Sequence, residues 1–333
     1  MSDLAYRNIL FISPEFFGID KVLIQILEDN GAKVTWINER SVHSSIGRAL
    51  NSVSPKFFYY QSNHYYKKKI DELSDKFDII FIIKGDMVTK ETIALFRKKF
   101  VNVPIVLYLY DPVCYIKGIL PKISLYDKVI SFEPDDCRKY GFEFRPLFCD
   151  LKKRGNLNTK KVSKKKYDIS FYGTMYGDRF QIVYQMQNMC LQKGYKFYSF
   201  CFLRGKFMGI YYWFRNSAFR KLGSKSVSYV SKSSDEIAEI LENTDIILDA
   251  NDIKQKGLTL RTLETLVSGK RMITTNEDIV NYDFYNPNNI CVVDRKHIVI
   301  PDSFMKASYE PIDDTVLARY TAEGWIDDVF GKQ

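Results

Sequence analysis

The segment that decides the fold reads DIILDANDIKQKGLTLRTLETLVSGKRMITT and spans residues 245–275. It opens with an apolar run typical of a buried strand, passes through a polar loop that turns at Gly257, and closes with a second apolar run. Thr259 is a favourable N-cap for a helix that runs to Ser268, where Gly269 ends it. A strand, a helix and a strand in this order predict part of a parallel sheet that is covered by helices.

The start of this helix has the chemistry of an anion site. A helix N-terminus presents unpaired backbone N–H groups, and Lys256 and Arg261 bring positive charge to it. Arg261 and Glu264 are three residues apart, so they share a helical face. Phosphate at the helix start and sugar hydroxyls at Glu264 would suit a nucleotide diphosphate. The alternative is an ordinary loop–helix unit whose Arg and Glu form a solvated surface pair.

The length and composition indicate a folded protein of two domains. The chain has 333 residues, of which 46% are hydrophobic and 27% are charged. No apolar run reaches the roughly 18 residues that a membrane span needs, and the N-terminal MSDLAYRNILFIS lacks the layout of a signal peptide. We therefore expect a cytoplasmic protein, either free or held peripherally on the inner face of the membrane.

The charge and the cysteines narrow the classes of partner. A net charge of +9 fits a nucleic acid, an anionic membrane surface or an anionic substrate, but no nucleic-acid-binding motif accompanies it. The six Cys include no C-x-x-C pair, and the three His form no H-E-x-x-H pattern. We interpret the cysteines as buried reduced thiols and expect no zinc site.

Apolar strands and helical stretches alternate in both halves of the chain. Near-continuous apolar strands separated by helices predict parallel sheets covered on both faces. The basic segment KKRGNLNTKKVSKKK, residues 152–166, interrupts this pattern and is interpreted as an interdomain linker. We predict an α/β protein with two Rossmann-like doubly wound domains, residues 1–151 and 167–312, that face a cleft. Residues 313–333 form a C-terminal helix that can pack back on the first domain. Ligands of such sheets bind outside the carboxyl ends of the strands.

A series of motifs in a fixed order extends over nearly the whole chain. The motifs are SPEFFGID at 13–20, IIKGD at 82–86, YLYDP at 108–112, SFEPDDCRKYGF at 131–142, YDISFYGTMYGDR at 167–179, GLTLRTLE at 257–264 and YDFYNPNNI at 282–290. In this order and spacing they resemble bacterial glycosyltransferases of the two-domain GT-B fold, specifically the CgeB-like and the capsule or O-antigen polysaccharide transferases.

The resemblance implies a nucleotide-sugar donor on the C-terminal half and an acceptor on the N-terminal half. The donor-binding residues that it implies are Gly173, Thr174, Arg179, Lys256, Gly257, Leu258, Thr259, Arg261 and Glu264. Many retaining GT-B enzymes carry two Glu seven residues apart here, whereas this chain has Gly257 at the position seven before Glu264. The stereochemistry of transfer therefore stays open.

The departing diphosphate needs positive charge, from a metal ion or from cationic side chains. No D-x-D triplet is present, and we interpret the acids of DAND (249–252) and Asp135–Asp136 as turn or cap residues. We therefore predict a metal-independent reaction without a cofactor, in which Arg179, Lys256 and Arg261 hold the diphosphate. The alternative for Arg179 is an ordinary strand–helix turn in which it caps a neighbour.

The acceptor hydroxyl needs a general base. Asp111, Glu15 and Asp86 each follow a predicted N-terminal strand, which places them at the ligand-binding end of the sheet. Asp111 is the first candidate, Glu15 the second and His43 an alternative, while Asp86 and Gly18 are assigned to the acceptor side. Acids at such turns are also common as simple caps.

The segment LRGKFMGIYYWFRNSAFRKLG, residues 203–223, mixes basic and aromatic side chains. It indicates either an amphipathic helix on an anionic membrane or a core helix with charged edges. Altogether we expect a glycosyltransferase that extends a lipid-linked or growing surface polysaccharide. The rival functions are a basic nucleic-acid-binding protein and a non-catalytic sugar-nucleotide-binding protein.

Overall fold

The structure is a computed structural model that describes residues 7–15, 18–40, 59–74, 76–149, 165–223 and 226–331. The chain divides into two compact units, one comprising Met1–Leu147 with Ala322–Gln333 and the other comprising Phe148–Thr321. Each unit is built on one six-stranded sheet, and all described strand pairs are parallel. This confirms the predicted α/β class with two Rossmann-like sheets.

The sheet of the first unit has the strand order β2-β1-β3-β4-β5-β6. Chain order reverses between β1 and β3, so the ligand-binding end of this sheet lies outside the carboxyl ends of those strands. The strands are β1 (Asn8–Ser13), β2 (Lys33–Asn38), β3 (Ile79–Ile83), β4 (Ile105–Leu109), β5 (Lys128–Ser131) and β6 (Glu143–Phe144). The helices are α1 (Ile19–Asp29), α2 (Tyr59–Glu72), α3 (Lys90–Lys99) and α4 (Pro134–Tyr140).

The sheet of the second unit has the order β12-β11-β10-β7-β8-β9. Its strands are β7 (Tyr167–Thr174), β8 (Phe197–Phe202), β9 (Val227–Ser228), β10 (Thr244–Asp249), β11 (Arg271–Thr274) and β12 (Ile290–Val292). Its helices are α5 (Arg179–Lys193), α6 (Lys206–Arg215), α7 (Ser217–Leu222), α8 (Ser234–Glu242), α9 (Leu260–Val267), α10 (Asp302–Lys306) and α11 (Asp314–Arg319).

The last helix, α12 (Ala322–Phe330), belongs to the core of the first unit. Trp325 is fully buried and packs edge-on against Phe81 and Tyr108, with ring centroids 6.0 and 4.9 Å away. Burial of three large aromatic side chains is a strong local contribution to stability. The final chain segment is therefore part of this unit despite its distance in sequence.

Three predicted helical or loop segments differ from the structure. The single C-terminal helix predicted within 313–333 is two helices, α11 and α12, which are separated at Tyr320–Thr321. The predicted amphipathic segment 203–223 is also two helices, because Asn216 ends α6 and its side chain accepts from the Phe219 N–H to start α7. The resemblance to GT-B enzymes implies that Gly173 and Thr174 lie in the loop after the first C-terminal strand, but both are the last residues of β7.

Most of the predicted linker, residues 152–164, lies outside the described residues, as does His43. The last linker residues are described: the Lys166 N–H donates to the Asn243 carbonyl at 3.0 Å, and the Lys165 ammonium donates to the Glu242 carbonyl at 2.9 Å. Within the described ranges, no helix has the length and apolar character needed to cross a membrane.

Candidate functional site

The candidate site lies where the strand order of the second sheet reverses, between β7 and β10. These two strands are hydrogen-bonded neighbours and end at Thr174 and Asp249. In open α/β sheets, the crevice at such a reversal is where ligands bind. The loop after β10 leads into α9, so the segment 245–275 contributes both a strand end and a helix start to this point.

Asp249 anchors the site, and its side chain is fully buried. Its Oδ1 accepts from the Thr259 hydroxyl at 2.9 Å and from Arg261 Nη1 at 3.1 Å. Its Oδ2 accepts from the Thr262 hydroxyl at 2.7 Å and from the Thr274 hydroxyl at 3.4 Å. The interpretation of Asp249 as a turn or cap residue is therefore wrong, because the carboxylate joins the strand end to the start of α9.

The helix start itself is formed as predicted. The Thr259 hydroxyl accepts from the Thr262 N–H at 3.1 Å, and Ser268 is the C-cap of α9. Because Thr259 also donates to Asp249, one hydroxyl both caps the helix and binds the strand end. This is why a short helix is held firmly at the sheet edge.

Arg261 is buried, and its guanidinium spans the ends of both strands. Its Nε donates to the Tyr172 carbonyl at 2.6 Å, its Nη1 bonds Asp249, and the group lies over the Phe171 ring at 4.8 Å. A Cβ on Gly173 would overlap its Nη2. The alternative of a solvated Arg–Glu surface pair is therefore wrong for Arg261, and any larger residue at position 173 would displace the Arg261 guanidinium.

Arg179 is a second buried guanidinium beside the first. Its Nη1 donates to the Thr174 carbonyl at 2.8 Å and the group stacks on the Tyr176 ring at 4.0 Å. Its Nε is buried and has no hydrogen-bond partner among the described residues. Burial and the neighbouring charge of Arg261 lower the pKa of Arg179 to about 10. Two buried guanidinium groups therefore share one buried carboxylate, that of Asp249, and Asp252 is a further carboxylate near Arg179.

The remaining residues that were predicted to bind the donor lie on α9 and on the loop that precedes it. Glu264 is half-buried and accepts from the Tyr172 hydroxyl at 2.8 Å, so Tyr172 connects it to Arg261. Lys256 is exposed on the loop, and its carbonyl accepts from the Asn276 side chain at 2.8 Å. Gly257 is buried and the Leu258 side chain is fully buried, so Leu258 contributes packing to this loop through its side chain.

The acceptor-side candidates lie at the carboxyl ends of the strands of the first unit. Asp111 follows β4, has a side chain that is 42% exposed, and pairs with Lys84 Nζ at 2.9 Å. Burial lowers the pKa of Lys84, but the carboxylates of Asp111 and Asp86 outweigh it and the net pKa is raised. Glu15 is exposed after β1, and Gly18 directly precedes α1.

One buried acid at this sheet end was missed by the sequence analysis. Glu39 follows β2 and is fully buried, and its carboxyl group lies near that of Asp86. Glu39 Oε2 and Asp86 Oδ1 each lack a donor among the described residues, and one proton held between the two carboxyls would satisfy both. Burial and then the Asp86 charge raise the pKa of Glu39 well above its ordinary value. The available signal was an acid placed directly after the strand KVTWIN.

A buried lysine fixes the loop that carries Asp86. The Lys122 ammonium donates to the carbonyls of Gly85 at 2.7 Å and Val88 at 2.6 Å. Burial lowers the pKa of Lys122 to about 8. Throughout the described part of the chain, this sheet end included, no group of three or more His, Cys, Asp or Glu side chains is arranged to hold a metal ion.

The chain is similar to known proteins in its structure. No protein-family model matches the sequence, and no curated protein matches it. The chain is similar to Anabaena HepE in complex with UDP and glucose, with 10% identity over 97% of this chain and 99% of that one and a TM-score of 0.58.

Two further structures give the same result. The lipopolysaccharide outer core galactosyltransferase WaaB in its apo form has 12% identity over 97% of this chain and 99% of that one, with a TM-score of 0.56. An α-glucosyltransferase in complex with UDP-glucose and DNA containing an abasic site has 16% identity over 98% and 94%, with a TM-score of 0.57. These likenesses show the fold: the chain has the two Rossmann-like sheets of the GT-B glycosyltransferases.

Proposed function

We propose that this protein is a glycosyltransferase that moves a sugar from a nucleotide-sugar donor to an acceptor glycan. The observation that carries the proposal is the pair of buried guanidinium groups, Arg179 and Arg261, beside the single buried carboxylate of Asp249. Unbalanced positive charge in a buried site favours a ligand with several negative charges. A nucleoside diphosphate carries such charge, and it gains more as its bond to the sugar breaks.

The donor side is assigned residue by residue on this basis. Arg179 and Arg261 hold the diphosphate, and exposed Lys256 reaches it from the loop. Glu264 accepts hydrogen bonds from the ribose hydroxyls, which either replace the hydrogen bond from the Tyr172 hydroxyl or are accepted alongside it. The backbone of four further residues lines the same loop and strand end: Gly173, Thr174, Gly257 and Thr259.

The chemical step needs one bond made, one broken and one proton moved. The acceptor hydroxyl oxygen bonds the anomeric carbon, the bond from that carbon to the diphosphate oxygen breaks, and the hydroxyl proton passes to a base. Asp111 is the first candidate because its side chain is partly exposed at the end of β4 and is oriented by Lys84. Glu15 is the second candidate and His43 the alternative, while Gly18 and Asp86 contact the acceptor.

The acceptor that we propose is a lipid-linked or growing surface polysaccharide of the capsule or O-antigen type. Support comes from the order of the sequence motifs and from the likeness to a lipopolysaccharide galactosyltransferase. A similar structure also binds DNA, so polynucleotide is included in the tests below.

Titration calorimetry with UDP, GDP, CMP and dTDP and their sugar conjugates tests the donor site. We expect one nucleotide series to bind and Arg179→Gln to weaken it by about 1.5–3 kcal/mol, the value of a hydrogen bond to a charged group. Arg319→Gln is the matched control, because Arg319 belongs to the same unit and makes an exposed pair with Asp283. Equal affinity in both variants would remove Arg179 from the site.

Turnover separates the enzyme from its rivals. We expect acceptor-dependent release of the nucleoside diphosphate, and EDTA is expected to leave that rate unchanged because cationic side chains hold the diphosphate. Donor binding without turnover on any acceptor would identify a non-catalytic binding protein. Salt-sensitive polynucleotide binding without sugar-nucleotide binding would identify a nucleic-acid-binding protein.

A further inference from the structure

Helix α6 directs an apolar stripe away from the unit that carries it. Phe207, Ile210, Tyr211 and Phe214 follow the i, i+3, i+4, i+7 spacing of one helical face, which in a globular protein normally packs on the core. Here all four are exposed, and Phe207 and Phe214 reach 88% and 78%. Contiguous exposed apolar surface of this kind marks an interaction site.

The opposite face of α6 fixes this orientation. Tyr212 packs against Phe180, with ring centroids 4.7 Å apart, and also against Phe219. Gly209 is buried against Tyr229, whose hydroxyl occupies the space that a Cβ would need. The stripe therefore faces outward because the helix is held from behind by these contacts.

The stretch of chain that includes α6 carries charge of a single sign. No Asp or Glu occurs between Asp178 and Asp235, whereas Arg and Lys recur throughout this interval. The exposed cations that flank the stripe are Arg204, Lys206, Arg215, Arg220 and Lys221. A basic rim around an apolar stripe is complementary to an anionic surface with an apolar interior.

We propose that α6 is a docking surface for the anionic face of a lipid bilayer, with the stripe inserted at the headgroup layer and the cations paired with lipid phosphates. Exposed Met208 and Ile210 favour lipid over polynucleotide, because aliphatic side chains offer no stacking surface to bases. Trp213, 54% exposed at the edge of the stripe, is a side chain suited to the membrane–water boundary. The surface does not depend on the function proposed above.

Trp213 supplies an internal probe. The other Trp residues are Trp36, which is partly buried, and Trp325, which is fully buried. Fluorescence of the full chain is expected to shift to the blue on mixing with phosphatidylcholine–phosphatidylglycerol vesicles but not with phosphatidylcholine alone. Trp213→Phe should abolish the shift while the protein still sediments with the anionic vesicles.

Vesicle sedimentation with variants tests the stripe directly. The double variant Phe207→Ser/Phe214→Ser should weaken binding to the anionic vesicles by about tenfold or more. It lacks two aromatic side chains that would otherwise move from water into the headgroup layer on binding. Leu191→Ser is the matched control, because Leu191 is 79% exposed on α5 and lies outside the stripe. This variant should bind the anionic vesicles with the same affinity as the unchanged protein. All these side chains are exposed, so unfolding temperatures should stay the same.

Three results would overturn the proposal. The first is absence of both sedimentation and fluorescence shift with anionic vesicles. The second is a shift with polynucleotide alone, which would make this a nucleic-acid surface. The third is concentration-dependent self-association without lipid that the double Phe variant abolishes, which would make a second copy the partner of α6.

Discussion

Replacing Asp249 by Asn tests whether this carboxylate holds the candidate site together. The change keeps the shape of the side chain and removes its charge, so the Arg261 guanidinium stays buried without a counter-charge. One side-chain oxygen is also replaced by an NH2 group, which cannot accept a hydrogen bond from the Thr262 hydroxyl. Removing one partner of a buried ion pair costs about 3–5 kcal/mol.

The surface pair between Lys193 and Asp302 provides the matched control. These residues lie in the same unit at 3.2 Å, with side chains 53% and 66% exposed, so Asp302→Asn should cost about 0–1 kcal/mol. Both variants remove one carboxylate from an ion pair, so the difference between their losses of stability reports the effect of burial.

Amide hydrogen exchange of peptides from β7, β10 and α9 provides the measurement, because it reports the opening of this unit directly. In Asp249→Asn we expect exchange about a hundredfold to a few thousandfold faster, which is 3–5 kcal/mol at about 1.4 kcal/mol per factor of ten. Adding Arg261→Gln should recover part of the loss, since the uncompensated charge is then removed. If Asp249→Asn exchanges no faster than Asp302→Asn, the carboxylate is not the anchor of this site.

Three further predictions concern the ligand and the buried acids. Glu264→Ala should weaken nucleotide binding by about 1–3 kcal/mol through lost ribose hydrogen bonds, and unchanged calorimetric affinity would remove Glu264 from the site. Asp111→Asn should lower turnover by about 10²–10⁴-fold with donor affinity unchanged. If Asp111→Asn turns over normally and Glu15→Gln is inactive, Glu15 is the base instead. Because the pKa of Glu39 is raised from 4.5, the folded protein binds that proton more tightly than the unfolded chain and loses stability as pH rises above 4.5. Glu39→Gln should remove this loss, and urea unfolding of both proteins at pH 5 and pH 8 measures it; an unaltered pH slope would rule out a shared proton.

The strands and the capped helix could be predicted from the sequence because their signals are local. The apolar run of β10 and the Thr259 cap each act within a few residues, and the structure confirms both. The small errors at element ends have the same origin. Asn216 and Thr321 interrupt helical patterns that continue in the sequence, because caps and tertiary packing decide where a helix stops.

The buried acids could not be predicted, because their partners are distant in sequence. Glu39 meets Asp86 only after β2 and β3 have entered the same sheet. A carboxyl that follows a strand has the same sequence pattern whether it ends exposed, as Glu15 does, or fully buried. Burial and charge partners set its protonation, and both are tertiary properties.

The amino-acid sequence alone determined the α/β class, the alternating elements and the cationic side chains of the candidate site. Only the tertiary structure decided that β7 pairs with β10, which brings Arg179, Asp249 and Arg261 to one edge of the sheet. It also placed the apolar face of α6 outward, although the same residue spacing usually faces a core. Periodicity and caps depend on neighbours along the chain, whereas strand order and the burial of charge depend on which distant segments pack together.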